Sequence, residues 1–333
     1  MKKETRIAYN ALLSRLATLN DIQDAATKFA VAPSVQQKLE NKIQESSAFL
    51  SKINIIGVTE MQGEKLKLGI SGPVAGRTDT SKNDRKTRDL TDLTGDMYKC
   101  QQTNFDTHIP YAKLDAWAKF PDFQTRIRDV IVQRQALDRM VIGFHGTSIA
   151  ADTDIAANPL LQDVNKGWLQ QMREHAPERV LSTGKTNGKV SVGAGGDYAN
   201  LDAVVFDAIT LLDPWYREDA GLVAIVGREL MHDKYFPLVN TKQTNVETLA
   251  ADIIISQKRI GGLQAVSVPY FPPHAVLITR YDNLSIYYQD GARRRQVLDN
   301  AKRDRIENYE SSNDAYVVEQ YGLAAMVEHI EFV

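Results

Sequence analysis

The sequence predicts an α+β protein built from an extended arm, one long helix and a mixed sheet. Three observations predict it. Residues 65–70 and 105–111 alternate polar and apolar side chains around a long, charged stretch at 77–96. Strict alternation marks a strand with one dry face. An apolar stripe at helical spacing runs through residues 121–144, and residues 222–226 contain no polar side chain, which marks a buried strand.

Residues 5–19 read as an amphipathic helix, with Ile7, Leu12, Leu16 and Leu19 at about helical spacing. Such a helix either packs on its own domain or docks on a partner as a separable segment. Residues 21–32 form a polar connector closed by Pro33, and residues 34–52 carry a second short helical pattern through Val35, Leu39, Ile43 and Leu50. The strand at 65–70 is broken by Gly72 and Pro73. A hairpin this long is marginal alone because it cannot bury both faces. The arm is therefore expected to lie on a neighbouring subunit.

The 121–144 stripe contains Phe123, Ile127, Val130, Ile131, Leu137, Met140, Val141 and Phe144, while Arg126, Arg128, Arg134 and Arg139 fill much of the remaining surface. Pro121 suits its start, and Gly143 and Gly146 suit its end. At ~1.5 Å per residue it spans roughly 35 Å. Residues 158–175 contain another helical stretch, stopped near Pro177, and residues 182–196 read as a surface loop. Helices are expected over 199–212 and 227–239, and strands at 253–255, 275–279 and 284–288, with a turn at Asp282-Asn283 between the last two. Residues 315–333 fit a final hairpin turning near Gly322. The mixed sheet is placed near residues 199–281.

The 333 residues can bury a real core in one to three domains. A net charge of −2 argues against a dedicated nucleic-acid binder, though not against a container for DNA. Cys100 is the only cysteine, so no intrachain disulfide and no cysteine-based metal cluster is possible. No apolar run follows the charged start, and no segment approaches the roughly 20 apolar residues of a membrane span. A protein made and working in a cytoplasm-like medium is expected.

Catalytic chemistry is hard to find. Residues 193–197, Gly-Ala-Gly-Gly-Asp, invite a phosphate-loop reading ahead of a helix. They match neither a Walker loop nor a dinucleotide fingerprint, and residues 189–192 make a poor preceding strand. None of the six histidines has zinc-site spacing. His145 near Ser148 and Asp152 lacks a nucleophile elbow, and His232 with Asp233 reads as a solvated pair. The acids within 299–307, interleaved with bases, read as a solvated face. Arg293, Arg294 and Arg295, with Lys302, Arg303 and Arg305, form a basic cluster suited either to phosphates or to acids on a neighbouring subunit. Trp117, Trp168 and Trp215 read as packing residues. No catalytic residue, metal or cofactor is expected.

Ten segments together carry a family resemblance. They include Glu4-Thr5-Arg6 with Leu13-Ser14-Arg15, Gln44-Glu45-Ser46-Ser47, Asp122-Phe123-Gln124 with Arg126-Ile127-Arg128, and Asn158-Pro159-Leu160-Leu161-Gln162-Asp163-Val164. Gly167-Trp168-Leu169-Gln170, Gly195-Gly196-Asp197-Tyr198-Ala199 and Lys234-Tyr235-Phe236-Pro237 follow. Ala250-Ala251-Asp252 with Ile254-Ile255-Ser256-Gln257-Lys258-Arg259-Ile260-Gly261, Asn283-Leu284-Ser285-Ile286-Tyr287-Tyr288 and Glu307-Asn308-Tyr309-Glu310-Ser311 complete the set in order from end to end. The chain thereby resembles the major capsid proteins of P-two-like (Peduovirus) tailed phages.

The resemblance implies a Hong Kong-97-like capsid fold. It divides into a removable segment (1–29), an N-arm (30–52), an extended loop (53–111), a peripheral domain with the long spine helix (112–198 and 282–333) and an axial domain (199–281). It implies a shell subunit that assembles with itself into hexamers and pentamers. The further partners implied are an internal scaffold carrying a protease, a portal protein, packaged double-stranded DNA, and decoration or size-determining proteins, with no membrane. The protease is expected to cut between Phe29 and Ala30, within Lys28-Phe29-Ala30-Val31. A covalent lysine–asparagine link is not expected, and Lys67 and Lys82 read as solvated. The rival readings are an encapsulin-like compartment and an enzyme binding a phosphorylated ligand at 193–197.

Overall fold

A computed structural model describes residues 1–65, 75–82, 84–85, 87, 96–117, 120, 122–240 and 258–333. The expected strands at 65–70 and 253–255, together with Lys67, lie wholly or mainly outside these residues. The helices are α1 (Lys3–Asn20), α2 (Pro33–Glu45), α3 (Tyr111–Trp117), α4 (Phe123–His145), α5 (Trp168–His175), α6 (Leu201–Ile209) and α7 (Arg228–Asn240).

The main sheet is a long ribbon around one strand. Its strands are β1 (Phe29–Ala30), β2 (Asn54–Val58), then, past the short hairpin of β3 (Gln62–Glu64) and β4 (Met97–Lys99), β5 (Gln101–Asn104) and β6 (Thr107–Pro110). β5 and β6 run as one ladder along one edge of the 14-residue strand at Arg305–Val318. Before reaching it the chain forms β7 (Val180–Leu181), β8 (Val190–Val192), β9 (Val223–Val226), β10 (Arg259–Ile260), β11 (Leu263–Val266), β12 (Val276–Thr279), β13 (Leu284–Gln289) and β14 (Arg294–Asn300). The long strand is therefore β15, followed by β16 (Ala325–Val327) and β17 (Ile330–Phe332). β13 and β14 line the other edge of β15, and β2 and β1 pair on their outer sides.

A second, mixed sheet has the order β10-β11-β9-β12-β16-β7. It draws β7 and β16 from outside residues 199–281. Its central strands alternate between two cores. Val223, Ile225, Leu277 and Met326 face a core that also holds Phe49, Phe144, Trp168 and Ile286. Ala224, Val226, Val276, Ile278, Ala325 and Val327 face a core with α6 and α7. Because both faces are dry, Val223–Val226 needs no polar residue, as the sequence predicts.

Three expectations fail. Residues 315–333 do not form a hairpin: β15 belongs to the ribbon and β16 crosses to the second sheet. Residues 189–192 are not a mere loop edge: Val190 and Val192 are buried in β8, parallel to β17. Gly143, expected at a helix end, lies inside α4. A Cβ there would sit 2.2 Å from the Trp168 ring, so its bareness admits the tryptophan, whose Nε1 donates to the Ser285 carbonyl at 3.0 Å.

Candidate processing junction and the surfaces around it

The segment preceding the expected cut is folded onto the ribbon. α1 presents Tyr9 to Leu114, Val297 and Ile306, forming a small cluster of its own with Trp117 at its margin. Polar contacts fix the helix: Asp115 Oδ1 accepts from the Thr5 hydroxyl at 2.5 Å and from the Lys2 amide at 2.8 Å. Arg6 and the Tyr111 hydroxyl both donate to the Asp299 carboxylate. Asp299, expected on a solvated face, is therefore an anchor for α1. The chain leaves the helix at Asp21 in the left-handed region and returns as β1.

Phe29 and Ala30 pair with Arg295 and Arg294 at the ribbon edge. The Phe29 ring is buried with Ala25 and Val31, against Leu13, Leu16, Ile22 and Val35, whereas Ala30 is exposed. Lys28 is exposed beside the same strand.

The basic cluster splits. Arg293 is wholly buried, so it cannot face a phosphate backbone or a neighbouring subunit. Its Nε donates to Glu310 at 2.8 Å, one Nη to Glu40 at 2.7 Å and the other to Gln135 at 2.7 Å. Arg139, equally buried, is held by Glu40 and, at 3.0 Å, by Asp314. The arrangement joins α2, α4 and β15 by five charged side chains, and sequence reasoning missed it. The signal was present: Arg139 shares the buried face of α4 with Val132 and Ala136, and Glu40 shares that of α2 with Gln36 and Ile43. Burial alone would raise the carboxyl of Glu310, but Arg293 and Arg295 outweigh it and hold it at about 2. Glu40 is likewise held below its usual range by Arg139 and Arg293 against the opposing effect of burial. Arg294 and Arg295 are half-buried at the ribbon edge, Arg295 donating to Asn308 at 2.8 Å. Arg305 pairs with Glu307 at 2.6 Å, and Lys302 and Arg303 are exposed.

The other candidates are placed apart from any reaction geometry. The 193–197 loop is closed on the chain itself. Asp197 accepts from the Ser191 hydroxyl at 2.5 Å and from the Lys185 and Ser191 amides. A Cβ on Gly193 would meet the Val333 carbonyl at 2.2 Å, and α6 takes its cap from Asn200. The Lys185 and Ser191 amides that face Asp197 are thus already used by its carboxylate. His145 Nε2 is engaged by the Tyr270 carbonyl at 2.7 Å. His232 and Asp233 are exposed, 3.6 Å apart, and Lys82 lies 3.7 Å from Asp79 at the surface. Trp168 is a core residue, whereas Trp215 is half exposed. Among the described residues no group of acids, histidines or cysteine could hold a metal ion, and no helix is long and apolar enough to cross a membrane.

A ribbon sheet, a second sheet with two dry faces and a terminal segment packed on the ribbon, with no reaction geometry among the described residues, define a structural subunit. The chain belongs to the phage major capsid protein family of the P2 type, whose family model matches residues 8–330. It is 53% identical to the capsid protein of Escherichia phage P2 over 341 residues, covering 99% of this chain and 96% of the relative. It is 41% identical to the major capsid protein of Serratia phage KSP20, covering 100% and 98%. A chain of the satellite phage P4 procapsid that includes the size determination (Sid) protein superposes with a TM-score of 0.83 at 50% identity, covering 100% of this chain and 99% of that one. The capsid of an empty GTA particle shares the fold at 14% identity and a TM-score of 0.52, covering 86% and 90%. The fold is the Hong Kong-97-like capsid fold. The role is that of a tailed-phage major capsid protein, a structural part of the virion and not an enzyme. The phospholigand and encapsulin-like readings fall away.

Proposed function

We propose that the chain assembles with copies of itself into hexamers and pentamers of an icosahedral procapsid, and that residues 1–29 serve assembly and are then removed by cleavage between Phe29 and Ala30. The observation that carries this reading is where the segment packs. Neither large core contains any residue from 1–29. The segment contributes only to two small satellite clusters outside them. It can therefore leave without opening the body of the subunit.

The same reading makes residues 30–52 the N-arm, 53–111 the extended loop, 112–198 with 282–333 the peripheral domain and 199–281 the axial domain. Each large core draws side chains from 199–281 and from the flanking spans, so this division is one of assembly role and not of separate cores. The partners proposed are an internal scaffold with its protease, a portal protein and, on the inner surface, packaged double-stranded DNA, all met in the host cytoplasm during assembly. A size-determining partner is proposed because the similar P4 procapsid includes the Sid protein. Arg294 and Arg295 remain candidates for DNA or subunit contact, and Arg293 does not.

Expression with and without the scaffold and its protease tests the proposal, read by negative-stain microscopy and intact mass. The expected result is closed shells whose subunits start at Ala30 only when the protease is present. Shells whose subunits keep residues 1–29 despite an active protease would remove the processing role. A small stable oligomer under both conditions would remove the assembly mode.

A further inference from the structure

We propose that the Phe29–Ala30 bond is closed in the folded subunit, and that residues 1–29 must undock before a protease can cut it, so that docking of α1 regulates processing. This rests on the reading of Phe29–Ala30 as the processed bond. A protease takes its substrate as an extended segment, and residues on both sides of the bond must come free of their neighbours. Here they are held on both sides. Upstream, the Ala25 carbonyl accepts from the Val297 amide at 3.1 Å and the Ala26 carbonyl accepts from Gln296 Nε2 at 2.8 Å. At the bond itself, Phe29 and Ala30 are paired with β14. Downstream, the Val31 amide donates to the Arg293 carbonyl at 3.0 Å, and the Ala32 amide donates to Asn20 Oδ1 at 3.1 Å.

Two of the holding groups belong to α1. Asn20 caps the strand's exit, and Leu16 covers the Phe29 ring. α1 is in turn fixed by Tyr9, Thr5 and Arg6. Helix and junction are thus one mechanical unit, and lifting α1 from α3 removes the cover of the bond. Hydrolysis then adds one water, leaving a carboxylate on Phe29 and an amine on Ala30, with no co-reactant.

The test uses the full chain and a limiting amount of a chymotrypsin-like protease that cuts after aromatic residues, with products read by mass spectrometry. The bond after half-exposed Trp215, in the loop between α6 and β9, is the internal control. Where opening is fast relative to cutting, the cutting rate follows the open population. In the unaltered chain, cutting after Trp215 precedes cutting after Phe29. Asn20→Ala and Tyr9→Ala each raise cutting after Phe29 about tenfold or more, and tenfold corresponds to about 1.4 kcal/mol of lost docking. The rate at Trp215 stays unchanged, and hydrogen exchange at the Val31 amide accelerates in step. Cutting after Phe29 as fast as after Trp215 in the unaltered chain would overturn the proposal. So would variants that speed exchange at Val31 without speeding cutting. The general protease reads undocking alone, so a failure of the phage's own protease to cut here would count against the choice of bond, not against the gate.

Discussion

Two buried arginines, Arg139 and Arg293, hold three buried carboxylates, Glu40, Glu310 and Asp314, where α2, α4 and β15 meet. Removing one member of such a group leaves an unpaired charge out of water, which typically costs about 3–5 kcal/mol. Arg139→Met is therefore expected to lower unfolding stability by about that amount, read by urea denaturation. A loss below about 1 kcal/mol would mean that water reaches the site. The pH dependence has a definite sign. Glu40 and Glu310 are both lowered from their ordinary value of 4.5, Glu310 to about 2. A lowered carboxyl contributes stability that is complete above its unfolded value and is lost as pH falls through the folded one. Urea midpoints should be steady above about pH 5 and fall progressively below about pH 4, and the Arg139→Met variant should show a shallower fall. The sequence shows these residues but not their role. Arg139 reads as part of a solvated face because its charge masks its position on the buried side of α4. Its partners lie 99 and 175 residues away in the chain, beyond any local pattern.

At the scale of elements, what could be read locally was read. β9 announces itself by an unbroken apolar run, and α4 by its stripe. β8 and the end of the chain did not, because their structure is set by distant partners: β8 pairs with β17, and β16 leaves β15 for β12. A short polar-flanked strand carries no sign of such pairing. The root of the arm is legible only in part. β6 lies within the alternating stretch at 105–111, while β5 precedes it with no apolar residue to announce it, and both pair with β15. Cys100, between β4 and β5, sits against Ala315 and Val317 of that strand. Burial, with a smaller push from Asp314, raises its thiol to about 12. A neutral, covered thiol does not react. Maleimide labelling of Cys100 should therefore be negligible in the native subunit at neutral pH and complete after denaturation. Prompt labelling of the native chain would show that the arm root opens readily. Labelling rate during assembly then becomes a direct reporter of movement at the arm root.

For the whole molecule, the decisive feature is that three strands, β9, β12 and β16, serve two cores at once, with α1 and β1 belonging to neither. Stability is thus concentrated in residues 30–333, and residues 1–29 act as a cover. Their removal takes Tyr9 from Leu114, Val297 and Ile306 and takes Phe29, half of the two-residue edge partner, from β14. A partly uncovered edge strand beside an apolar patch favours association with other chains. A chain beginning at Ala30 is therefore expected to keep the helix and sheet signal of the full chain in far-ultraviolet circular dichroism and to unfold in a single cooperative step. It is also expected to bind more of a hydrophobic dye and to associate at lower concentration. Asp299 is the internal check. In the full chain it holds Arg6 and Tyr111, and in the shortened chain its link to Arg6 is gone, so Asp299→Asn should destabilise the first and scarcely alter the second. If the shortened chain instead loses cooperative unfolding, the terminal segment is an integral layer of the subunit, and a role as a removable assembly segment could not stand.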